Sequence, residues 1–305
     1  MIKGRVFKST GSWNTVLATG KFYECRLRGK LRLDDEKVTN PVAVGDWVNI
    51  APENDTEAII KDVLPRENYI IRKSTRKKKH SHRLAANIDQ AVLIVTLAFP
   101  RTSLGFIDRF LVSCESFRIP AVLVFNKADL LDEEALEYYE ALKFDYQELG
   151  YKVLLVSAEE NIGIEELKAV LEGKTSLFAG HSGVGKSTLL NLISPHIEQR
   201  IGEVSESVGK GVHTTTFAEM FEAWEGAFVI DTPGIKELGL WDIGNEELSH
   251  YFPEMREYIG ECKFNNCTHT HEPGCAFRKA MEEGKIAPSR YESYLSILED
   301  EDSHR

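Results

Sequence analysis

The tetrapeptide Asn126-Lys127-Ala128-Asp129 follows the apolar run AVLVF and has the chemistry to read a guanine base. The Asp129 carboxylate can accept from both N1–H and the exocyclic amine of guanine; adenine presents an acceptor at N1 and would leave that charge unpaired. The Asn126 amide can bond the opposite edge of the base, and the Lys127 stem can cover the ring face. After the next apolar run, VLLV, Ser157-Ala158 can offer a backbone N–H to the guanine carbonyl.

Phosphate chemistry lies further along the chain. Gly180-His181-Ser182-Gly183-Val184-Gly185-Lys186-Ser187 fits G-x-x-x-x-G-K-[ST] at every fixed position, and Thr188 follows it. The run TSLFA precedes this stretch and an apolar helical pattern follows, which is the context the motif requires. The glycines let successive backbone N–H groups turn inward around phosphates, and the helix directs its positive end at the same charge. Lys186 reaches the β- and γ-phosphates in this arrangement, and the Ser187 hydroxyl binds Mg²⁺. Asp231-Thr232-Pro233-Gly234, after AFVI, supplies a second acidic position: Asp231 for Mg²⁺ and the Gly234 N–H for the γ-phosphate. Between the two lies GKGVHTTT, residues 209–216, where a threonine hydroxyl can join the Mg²⁺ shell; Thr215 is favoured, with Thr214 the neighbouring alternative. Where many GTPases carry a water-orienting glutamine after this turn, the chain has Ile235, which cannot orient water. His213 is the nearest candidate for that role.

A third group is metal-binding in character. Cys262-x4-Cys267-x-His269-x5-Cys275 provides three thiolates and an imidazole, a set that suits four-coordinate structural Zn²⁺; His271 is a substitute for His269 by position. In a reducing compartment such a crowd points to metal more readily than to disulfides.

These motifs must be carried on several domains, since 305 residues exceed one core. Residues 1–72 alternate short apolar runs with turn signals, giving five or so antiparallel strands and a small β-barrel, either an OB-fold or an SH3-like structural barrel. Residues 73–84 are expected as a basic linker, part of a run containing Arg72, Lys73, Arg76, Lys77, Lys78, Lys79 and Arg83. Concentrating positive charge at a junction, in a chain of net charge -11, suits contact with a nucleic-acid backbone. From 85 to 240, apolar strands alternate with helices, predicting a mainly parallel sheet covered on both faces, with ligands at the carboxyl ends of its strands. Residues 241–305 carry the cysteines and a helix over YESYLSILEDED. The longest apolar run, AVLIVTLAF at 91–99, is too short for a membrane span, and the start has no apolar signal core. A cytoplasmic monomer with no membrane partner is expected.

The base reader precedes the phosphate loop, the reverse of the usual order. Joining old termini and opening the chain elsewhere keeps such motifs adjacent, so the order predicts a circularly permuted GTPase domain. With Asn126-Lys127-Ala128-Asp129 before the phosphate loop, then Gly211-Val212-His213, Asp231 to Gly234 and the Cys/Cys/His/Cys loop, the sequence resembles the bacterial ribosome small-subunit-dependent GTPase A family. The likeness spans essentially the whole chain, including Gly45-Asp46-Trp47-Val48 and the R-Y-x-S-Y stretch at Arg290. It implies an N-terminal OB-fold, a permuted GTPase centre and a C-terminal zinc domain. It also implies binding of GTP and GDP, contact with the 30S subunit and its 16S rRNA, and late maturation of that subunit with stimulated GTP hydrolysis and release. The competing reading is an RNA-binding assembly scaffold that holds GTP as a structural ligand.

Overall fold

The computed structural model describes residues 1–27, 41–73, 81–194, 218–231 and 243–303. The alternating N-terminal pattern forms β1 (Ile2–Ser9), β2 (Asn14–Ala18), β3 (Lys21–Leu27), β4 (Trp47–Pro52) and β5 (Glu57–Val63). β1 pairs antiparallel with both β2 and β4, and β3 runs parallel to β5, so the sheet closes in the order 1-2-3-5-4. That is the OB-type barrel rather than the SH3-like alternative. Val6, Val16, Cys25, Val48, Ile50 and Ile60 fill it.

The barrel ends at Val63, short of residue 72, and the expected linker differs from the structure. β6 (Tyr69–Lys73) and β7 (Ser81–Ala86) pair antiparallel, so the basic segment has strands at both of its ends. The apolar residues flanking the charges explain this: Ile70 and Ala85 are fully buried, and Ala85 bridges to Val44 of the barrel. Residues 74–80, with Arg76 to Lys79, lie outside the described residues.

The α/β region comprises β8 (Gln90–Val95), α1 (Leu104–Ser116), β9 (Ala121–Phe125), α2 (Glu133–Glu148), β10 (Lys152–Leu155), α3 (Ile164–Leu171), β11 (Thr175–Ala179), α4 (Lys186–Ile193), β12 (Glu219–Trp224) and β13 (Ala227–Asp231). Its sheet order is β10-β9-β8-β11-β13-β12, with all strands parallel except β12. Successive side chains point to opposite faces. Leu93, Val95, Leu123 and Phe125 therefore pack under α1 and α2, while Val92, Ile94, Val122 and Val124 pack under α3 and α4. The order of chain reverses between β8 and β11, and a crevice opens there at the carboxyl ends of the strands. β12 pairs with β1 at Glu219 and Lys8, which joins the barrel to this sheet.

The C-terminal region holds two short 3-10 turns, Leu248–Tyr251 and Pro253–Tyr258, followed by α5 (Ala276–Glu282) and α6 (Pro288–Ser303). Phe252, Met255, Phe277, Tyr294 and Ile297 form its small core, to which α1 contributes Val112. Among the described residues no helix is long and apolar enough to cross a membrane.

Candidate functional site

Strand register brings the separated motifs together. Val95 on β8 pairs with Phe125 and Phe125 with Leu155, so these three strands end at one level; Ala179 at the end of β11 pairs with Leu93, two residues short of it, and Phe178 pairs with Asp231. Asn126 to Asp129, Ser157-Ala158 and the loop opening at Gly180 emerge from that edge, and Asp231 closes β13 beside the root of the phosphate loop.

Asn126 knits three loops into one surface. Its Nδ2 donates to the Val184 carbonyl at 2.8 Å, its Oδ1 accepts from the Ala158 N–H at 3.3 Å, and only 2% of it is exposed. A Cβ at Gly185 would lie 2.2 Å from Asn126 Nδ2, and Gly185 has φ +90. The glycine is therefore needed both for its backbone and for the closeness of the base reader. The Ser157 hydroxyl donates to Asp129 Oδ1 and accepts from the Glu160 N–H. This aims the carboxylate and gives Ser157 a side-chain role beyond the backbone contact expected of it. Lys127, with φ 68, sends Nζ to the Phe99 carbonyl at 2.6 Å, which ties it to the loop that leads into α1.

The phosphate loop has a second support. Pro100 sits 3.3 Å from where a Gly183 Cβ would be, and the His181 ring lies 3.8 Å from that of Phe106 on α1. Gly180, at φ +150, packs against the Ile94 carbonyl. Ser182, Lys186, Ser187 and Thr188 follow at the turn into α4, where the loop's N–H groups and the helix start favour an anion. Neither Pro100 nor Phe106 stood out in the sequence; an aromatic on the first turn of an apolar helix reads as core. His213, Thr214, Thr215, Gly234 and Ile235 lie outside the described residues.

The metal-binding set also converges. Ligand atoms of Cys262, Cys267, His269 and Cys275 all lie within 4.8 Å of one another. His269 Nδ1 is 3.5 Å from Cys262 Sγ and 3.6 Å from Cys275 Sγ. Zinc at its usual bond lengths and a tetrahedral angle would separate sulfur and nitrogen by about 3.6 Å, so the set fits the ion. Burial raises the Cys267 thiol to about 12 and raises Cys275, while it lowers His269 toward the neutral ligand form. A cation is what would make these thiols release their protons. His269 stacks on Phe277 at 3.7 Å, whereas His271 is exposed and turns Nδ1 to Thr270, so His269 is the fourth member.

Comparison with known proteins agrees with this geometry. A family model described as RsgA GTPase matches residues 63–241, and one described as RsgA N-terminal domain matches residues 3–60. The chain belongs to the RsgA GTPase family. A relative from Cytophaga hutchinsonii, named small ribosomal subunit biogenesis GTPase RsgA, is 55% identical and covers 100% of both chains. RsgA 2 of Bacteroides thetaiotaomicron is 51% identical over 99% of this chain and 97% of its own. Among solved structures, YjeQ from Thermotoga maritima aligns with TM-score 0.80 at 38% identity, covering 98% of each chain. YloQ, described as a circularly permuted GTPase, aligns with TM-score 0.77 at 32% identity over 100% of this chain and 96% of its own. The permuted order of the RsgA fold is thus the order seen in β8 to β13.

Proposed function

We propose that this chain acts in biogenesis of the small ribosomal subunit, hydrolysing GTP to GDP and phosphate with stimulation by the 30S particle and leaving it afterwards. The observation that carries the reading is the Asn126 clamp, which ties the Val184 and Ala158 loops together while Ser157 holds the Asp129 carboxylate, so that base reader and phosphate loop share one surface. The names of the relatives supply the particle. Asn126, Lys127, Ala128, Asp129, Ser157 and Ala158 hold the base; Gly180 to Thr188 and Gly234 hold the phosphates. Lys186 and Thr215 act on the transferring phosphoryl group, and His213 positions water in place of the side chain that Ile235 cannot supply. Mg²⁺ would be held by Ser187, Thr215 and Asp231 and would neutralise phosphate charge. Structural Zn²⁺ would be held by Cys262, Cys267, His269 and Cys275.

Contact with 16S rRNA is assigned to the barrel and the basic hairpin. On the barrel, Lys3 lies 4.4 Å from the Trp47 ring and Arg26 lies 4.5 Å from that of Trp13, a pairing of cation and aromatic that suits bases and phosphates. The protein works as a cytoplasmic monomer in this reading. Single-turnover GTP hydrolysis with and without purified small subunits tests it. Stimulation supports the enzyme; equal, negligible rates would favour the scaffold that keeps GTP as a structural ligand.

A further inference from the structure

The covalent path from the nucleotide site to the C-terminal domain runs through residues 232–242, outside the described residues. A second path is fully described, and it follows α1. At its N-terminal end, Phe106 faces His181 of the phosphate loop at 3.8 Å, and the loop leading into α1 places Pro100 against Gly183. Ser103 caps the helix by accepting from the Phe106 N–H, so the ring sits on an ordered first turn.

Two residues after Phe106, on another side of the helix, α1 meets the C-terminal domain through charge. Asp108 is fully buried on the apolar face of α1 and accepts from Arg290 of α6 at 2.6 Å and from the Tyr146 hydroxyl at 2.9 Å. The same guanidinium forks to Glu254 at 2.7 and 3.2 Å and lies 4.7 Å from the Phe252 ring. Burial works against the Arg290 charge, but Asp108 and Glu254 outweigh it and hold the group firmly protonated. Val112 then enters the C-terminal core, and Glu115 binds Arg256 and Tyr151. From α6, Tyr291 and Tyr294 donate to the carbonyls of His269 and Thr268, inside the cysteine loop.

Buried ion pairs are costly to form and costlier to break singly, so they fix register more than they add stability. Asp108 Oδ2 is buried with no hydrogen-bond partner, so on the α1 side the lock rests on a single carboxylate oxygen, Oδ1. We propose that α1 couples the phosphate loop to the metal-binding loop, with Arg290 as the positioning residue that links the two. Nucleotide binding orders His181 and Phe106, and α1 carries that order to α6; by linkage, a partner seated on the C-terminal domain acts back on the phosphate loop.

Arg290→Lys tests this because it keeps the buried positive charge while removing the fork that spans both carboxylates. Amide exchange is measured on the full-length, zinc-loaded protein with and without saturating GDP. In the wild type, GDP is expected to slow exchange in α6 at least about fivefold, the low end of site-to-site coupling. In Arg290→Lys that protection is expected to vanish while GDP affinity stays within about twofold, as befits a group remote from the ligand. Phe106→Leu, which leaves the ion pairs whole, is expected to abolish it too. Absence of GDP protection in wild-type α6, or its survival in both variants, overturns the proposal. The consequence for turnover rests on the function proposed above: stimulation by small subunits falls about tenfold in Arg290→Lys with basal kcat and KM unchanged. Wild-type protein that subunits fail to stimulate would refute that function, while the exchange arm still decides the coupling.

Discussion

At the nucleotide end, five parallel strands deliver the loops to one edge, and backbone hydrogen bonds with a single amide clamp hold them in place. At the C-terminal end, short 3-10 turns and two helices surround a small core, and position is set by a converging Cys/Cys/His/Cys cluster and a buried ion pair. The first region takes its form from sheet packing and backbone hydrogen bonds. The second has too little apolar mass to hold itself, so specific side chains take over the work that sheet packing does elsewhere.

In the zinc-loaded form proposed above, removing metal should separate the two regions most sharply. A structural zinc site contributes on the order of 10 kcal/mol or more to folding, so Cys262→Ala or chelation should unfold residues 243–303 while the α/β sheet persists. Circular dichroism and GDP binding measure the two outcomes; loss of both together would show that the regions fold as one unit. In the same experiment three thiols should become reactive after chelation. Cys25 and Cys114 should not, because both are fully buried and burial raises their thiols.

Gly185→Ala probes the nucleotide end next. The left-handed backbone and the 2.2 Å approach to Asn126 Nδ2 should together cost about 2–4 kcal/mol, read as a lower melting temperature and weaker GDP binding. Asn126→Ala leaves the Val184 carbonyl and Ala158 N–H without their partner and should cost about 1–3 kcal/mol, felt in GDP affinity more than in global stability. Lys8→Ala removes a partly exposed 3.2 Å ion pair to Glu219 where the barrel meets the sheet, and should change stability by less than about 1 kcal/mol. A larger loss there would mean that the barrel is an integral part of the nucleotide end.

The same contrast governs what the sequence made legible. Asn126 to Asp129, Gly180 to Ser187 and the Cys/Cys/His/Cys spacing are local patterns, and the β/α alternation around them follows from periodicity over a few residues. The barrel's five strands were legible for the same reason. Asp108 with Arg290 was not, because the partners lie 182 positions apart and either one alone reads as an ordinary surface charge. The available signal was Asp108 itself: between Ile107 and Leu111, on a helix face that is otherwise apolar, a carboxylate needs a partner. The hairpin of β6 and β7 was hidden by its charges, since seven cations within residues 72–83 mask the short apolar flanks that pair. Phe106 was hidden by the reverse effect, an aromatic ring whose neighbour is functional.

The pairing of β1 with β12 has a consequence for the protein's life in a crowded cell. A parallel sheet normally leaves two rows of unpaired backbone groups, each a template on which another strand can add. Here the barrel meets the β12 side at Lys8 and Glu219, and the opposite side, β10, is four residues long and begins at Lys152. Among the described residues this sheet therefore offers only short stretches of edge on either side, so strand addition to it is disfavoured without any dedicated cap.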